Sequence, residues 1–116
     1  MKPDQHPLFL QRAAAIADGL VRHQIPRHMH EGVAAYILGG REPGGFLTSA
    51  LAGDGFQAIR QADLDNQEAL GRWFAFLLTS TPSAAIGSYE AVSAWVRGRG
   101  LRGVIEAALA ATEGMA

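Results

Sequence analysis

Residues 65–81 read DNQEALGRWFAFLLTST, and the way this stretch winds decides the fold. At about 100° per residue, Leu70, Trp73, Phe74 and Leu77 fall on one face and Arg72 on the other, the apolar stripe of a helix packed on a core. Asp65 and Glu68 stand three residues apart, as in a capping box, where side chains satisfy the free amides of a helix start. Thr81-Pro82 closes the stretch, because proline cannot continue a helix. Phe76 lies outside the stripe, so the helix is expected to meet neighbours on two sides, and Phe76 is a candidate partner contact.

The same period extends outward in both directions. From Leu8 to Val21 the residues Phe9, Leu10, Ala13, Ile16, Ala17, Leu20 and Val21 share one arc; Pro7 suits the first turn and Pro26 forces a break after Ile25. A second helix starts near His28 with the stripe Met29, Val33, Tyr36 and Ile37, and Gly39-Gly40 ends it. Phe46, Leu47, Ala50 and Leu51 follow the turn Arg41–Gly45, and Asp54 with Gln57 opens a short piece holding Phe56 and Ile59. Ser88 caps a helix with Tyr89, Val92, Trp95 and Val96, and Leu101, Val104, Ile105, Ala108 and Leu109 form the last stripe. No window alternates apolar and polar residues over a strand's length, so the expected fold is all-α, a compact single domain of five or six short helices. Its parts are an N-terminal helix (1–25), a helical core (26–96) and a C-terminal helix (97–116).

Composition bounds what such a domain does. The chain has 116 residues, 48% of them hydrophobic, with 10 basic and 11 acidic side chains, a net charge of -1, and no cysteine. A chain of this size folds to roughly 6,000 Å² of surface from roughly 18,000 Å² unfolded, enough burial for a core without staples. Absent cysteine excludes disulfide scaffolds, thiolate zinc sites and cysteine nucleophiles. Pro3, Asp4 and Pro7 after Lys2 break the pattern of a signal peptide, and the longest apolar runs are too short to span a bilayer, so a cytoplasmic protein without a membrane partner is expected. The near-zero charge argues against wholesale attraction to nucleic acid.

Chemistry-bearing motifs are few. Gly98–Gly103 spells G-x-G-x-x-G, but a dinucleotide loop follows a strand and leads to a second one, whereas this stretch follows a helical stripe and reads as a helix–helix connection. The same stretch carries Arg97, Arg99 and Arg102, a basic corner suited to phosphate or an acidic partner. His23, His28 and His30 with Glu31 form a metal-type cluster of poor spacing, since His28 and His30 point apart on a helix and converge only if residues 24–30 stay extended. Asp63 and Asp65 read as capping residues, and Asp63 with Asn66 as a structural polar pair. No serine stands in a nucleophile elbow. The sequence therefore predicts no catalytic residue, no metal site and no cofactor.

The run Pro26–Trp95 resembles a group of small bacteriophage and prophage proteins whose pattern is a proline-histidine entry, Y-I-x-x-G, P-G-x-F-L, N-D-L, A-D-x-x-N and G-S. The matching residues are Pro26, His28, Tyr36-Ile37, Gly39, Pro43-Gly44, Phe46-Leu47, Asp54, Ala62-Asp63 with Asn66, and Gly87-Ser88. The chain departs from the pattern at Met29, where the group usually has a capping threonine or serine, at Gly53 in place of asparagine, and at Ala84–Ile86, which lacks an aromatic. The resemblance implies an origin and no activity. Together these readings predict a non-enzymatic helical protein acting through protein contacts, with a partner or with itself, over an apolar patch from Phe76 or the terminal helix. The rival reading is a small nucleic-acid-binding regulator that uses Arg97, Arg99 and Arg102.

Overall fold

A computed structural model describes residues 1–115. Among them the chain forms eight α-helices, joined by loops and three short 3-10 turns, and no strand. They are α1 (Pro7–Arg22), α2 (His30–Gly39), α3 (Gly45–Leu51), α4 (Gly55–Gln61), α5 (Leu64–Glu68), α6 (Leu70–Ser80), α7 (Tyr89–Arg97) and α8 (Gly100–Met115). All-α is as expected; the number of helices is not. The stretch quoted first is two helices, because Ala69 leaves the helical region at φ -90° and ψ 4° and separates α5 from α6. The capping is also displaced by two residues. Asp63 Oδ1 accepts from Asn66 N at 2.8 Å, whereas Asp65 lies inside α5 and Glu68 ends it. Ala116, the last residue of the expected C-terminal segment, lies outside the described residues.

The core gathers one face from most of the helices around Tyr36, Ile37, Trp73 and Phe76. Phe76 is fully buried, which removes it as a partner contact. The second neighbour that covers it is α1: a Cβ placed on Gly19 would stand 3.1 Å from the Phe76 ring and 2.7 Å from Ser80 Oγ, so α1 and α6 pack closely only with glycine there. Trp73 meets Phe46 and Phe76 edge-on, with ring centroids 5.5 and 6.4 Å away.

The far side of the core is closed by backbone against backbone. Gly40, at φ +71°, ends α2 in the left-handed region, and Gly100, at φ +63°, begins α8 in the same region. A Cβ on Gly100 would fall 2.5 Å from Gly40 N, so a side chain cannot enter this junction. The glycine-rich motif is thus the hinge between α7 and α8, pressed onto the end of α2. Trp95 of α7 completes the joint, its indole N–H lying 3.1 Å from Tyr36 O and 3.2 Å from Ile37 O, both carbonyls at the α2 end. Tyr36 donates its phenol to Ala85 O at 2.6 Å, and burial pushes that phenol's pKa well above its ordinary value.

Beyond Ile105 and as far as Gly114, Leu109 is the one apolar residue of α8 larger than alanine, and it packs against the core. Ala107, Ala108, Ala110 and Ala111 are exposed, and the molecule measures 52 × 27 × 19 Å. Its 6717 Å² of surface exceeds the roughly 6,000 Å² expected of a compact chain of this mass, in keeping with that elongation. No helix among the described residues is long and apolar enough to cross a membrane.

Candidate functional site

The widest convergence of polar side chains lies in a cleft of about 330 Å³ between the entry to α2, the loop before α3 and the start of α5. The 3-10 turn Arg27–Met29 brings in His28 and Met29, α2 supplies Gly32, and the loop supplies Arg41 to Gly44. Phe46 and Leu47 form an apolar wall, while Gln61, Asp63 and Asn66 close the opposite side. His28, Pro43, Gly44, Phe46, Leu47, Asp63 and Asn66, which carried the sequence resemblance, meet in this one place.

A line of hydrogen bonds runs from the rim into the core. His28 Nε2 lies 2.9 Å from Asp63 Oδ2, and the other oxygen of Asp63 caps α5 through Asn66 N. That backbone bond, with the hydrogen bond to His28 beside it, holds the Asp63 carboxyl below the ordinary carboxylate range. Asp63 and Asn66 are joined through the backbone; their side chains go different ways. Asn66 is 2% exposed, and its Oδ1 accepts from Trp73 Nε1 at 3.0 Å. The indole can only donate, so the amide oxygen is fixed toward Trp73 and the amide nitrogen toward the cleft.

The histidines stay apart. His23 Nε2 lies 3.3 Å from Thr79 Oγ1, His28 serves Asp63, and His30 donates to Ile25 O at 2.8 Å. No group of three or more histidine, aspartate or glutamate side chains gathers to metal-holding distance among the described residues. Asp63 is paired with an imidazole, not with Asp65.

The basic corner is partly neutralised. Arg102 grips Asp4 through two hydrogen bonds, of 2.7 and 3.3 Å, and its guanidinium sits 5.5 Å from the Phe9 ring centroid. Arg99 pairs with Glu106. Arg97 is the one arginine of the three without a carboxylate partner among the described residues. Sequence spacing gave no sign of Asp4 as a partner, because the bond spans 98 residues.

Phe76 contributes nothing to the apolar surface left after folding, and much of that surface lies outside the terminal helix. Phe56 is 87% exposed and Ile59, one turn on, 44%, both on α4; Leu64 opens α5 at 67%. This projection is held firmly. Asp54 Oδ1 accepts from Gln57 N at 3.2 Å, its Oδ2 accepts the Tyr89 phenol of α7 at 2.7 Å, and Ala58 is buried against the body. Phe56 appeared in the sequence as part of a short capped piece with Ile59, and nothing in its spacing told inward from outward on so short a helix. On the terminal helix, Val104 is half exposed. The chain matches no family model, no curated protein and no solved structure.

Proposed function

We propose that the protein works without catalysis, through protein contacts made by the α4–α5 projection, and that its first partner is a second copy of itself. The observation that carries this reading is Phe56, 87% exposed on a helix whose start is clamped by Asp54 and Tyr89. An aromatic ring held out in water on a rigid support loses the hydrophobic gain of burial, and a contact restores it. A net charge of -1 sets no long-range repulsion between copies, and Arg60 and Asp65 beside the apolar residues offer opposite charges to a two-fold-related partner. In this reading the chain is a cytoplasmic protein of the phage or prophage kind that the sequence resembles.

Size-exclusion chromatography with light scattering tests it. The wild type is expected to move from monomer to dimer mass as concentration rises, and Phe56→Ser to stay monomeric. A wild type that is monomeric throughout, or a dimer unaffected by Phe56→Ser, overturns the proposal.

A further inference from the structure

We propose that the cleft beside Asn66 binds an uncharged amide with a small apolar body attached. The starting point is the side-chain nitrogen of Asn66. The residue is 98% buried (2% exposed), and Trp73 holds its oxygen, yet its nitrogen donates to no acceptor among the described residues. Thr81 Oγ1 is the only sealed, buried side-chain polar atom without a partner among those residues, so the Asn66 nitrogen is open to the cleft. A donor that opens only into a cleft is met there by water, and a ligand acceptor can take that water's place.

Charge then selects the acceptor. Arg41, the one arginine of the cleft wall, is drawn to Glu31 at 3.7 Å, and His28 is occupied by Asp63, while Glu42 adds a carboxylate without a cation of its own among the described residues. A carboxylate or phosphate ligand would enter against a negative balance, whereas a neutral carbonyl would not. The neighbouring carboxylate of Asp63 retains lone pairs for a ligand N–H. A group that accepts at one end and donates at the other is an amide. Phe46, Leu47 and Met29 provide the apolar wall for what it carries. At roughly 30 Å³ per water, 330 Å³ holds about eleven water-sized groups, the size of one capped amino acid.

This site is separate from the projection at Phe56, so its test is independent of self-association. The probe is N-acetyl-leucinamide, added to the ¹⁵N-labelled full chain and followed in proton–nitrogen correlation spectra. The expected result is saturable movement of the Asn66 side-chain amide and the Trp73 indole signal, with the Trp95 indole unmoved and a dissociation constant on the order of millimolar. Gly32 supplies a blocking variant that leaves the core alone: a Cβ there meets nothing within 4 Å, and Gly32→Leu adds a helix-favouring side chain at the mouth of the cleft. Gly32→Leu should keep its melting temperature and lose binding by about tenfold or more. Asn66→Asp keeps an oxygen for Trp73 but turns the donor into an acceptor, and it should lose binding to the same degree. A capped tetrapeptide that binds tighter than the single residue assigns a polypeptide segment as the natural source; equal affinity assigns a free small amide. Absence of saturable shifts in the wild type, undiminished binding in Gly32→Leu, or equal binding of acetate or uridine overturns the proposal.

Discussion

The two tryptophans are both buried, and both donate their indole N–H, but to opposite ends. Trp95 gives its proton to the backbone carbonyls that finish α2, and the account closes there. Trp73 gives its proton to a side chain, Asn66, whose remaining donor faces a cleft. The difference separates two halves of the molecule. At the α2–α7 contact the indole is consumed in holding two helices together; beside α5 and α6 the Asn66 side-chain nitrogen meets no acceptor among the described residues. A leftover donor beside a cavity is what distinguishes a place for a ligand from a joint.

Five variants break or sharpen the comparison. Gly100→Ala should have the largest effect, a loss of about 3 kcal/mol or more in denaturant unfolding, since it forces a side chain into a positive-φ junction already filled by backbone. A mild loss would show that the joint yields. Trp73→Phe should follow at about 2–3 kcal/mol, because it leaves the Asn66 oxygen buried without a donor. Trp95→Phe should cost about 1 kcal/mol less than that, since the freed carbonyls end a helix and Trp95 itself is 8% exposed. The reverse order would sink the distinction between the halves.

Asp63→Asn should give a smaller loss with a pH signature. The folded carboxyl titrates below its ordinary 3.8, so its contribution is present above that pH and disappears as pH falls through the lower folded value. Stability of the wild type should therefore decline below about pH 4 more steeply than that of Asp63→Asn. Asp4, held down by Arg102, titrates in the same direction, so some acid loss should persist in the variant. Phe56→Ser should change monomer stability least, within about 0.5 kcal/mol, while removing self-association.

Helix type, the caps at Asp54 and Ser88, and the stop at Gly40 were legible because each depends on residues within one or two turns. What escaped depends on distance. The break falls at Ala69, a fully buried residue, and a single apolar period running through it does not reveal it. Phe76 looked spare until α1 arrived with Gly19 to cover it. Most of the cleft was named in the sequence, as His28, Phe46, Asp63 and Asn66, but as separate caps and stripe members. Only the tertiary fold sets a rim histidine against an aspartate 35 residues away. Arg99 and Arg102 were likewise seen as charges without their carboxylates, and a sequence lists charges without saying which of them meet.

The joint of Gly40 with Gly100 also sets an order of events. Contacts between residues so far apart in the chain form late, after the entropy of closing the intervening loop has been overcome. During synthesis, the last turn of α2 emerges long before residues 95–100 and waits with its carbonyls in water. The stretch Gly45–Ser80 contains its own core contacts, Phe46 on Trp73 and Trp73 on Phe76, and can collapse first. Phe46, Leu47, Gln61, Asp63 and Asn66 of the cleft belong to that earlier unit, while His28, Met29, Gly32 and the loop Arg41–Gly44 come from the α2 side. The latch that fixes α2 above it is supplied only once residues 95–100 have left the ribosome.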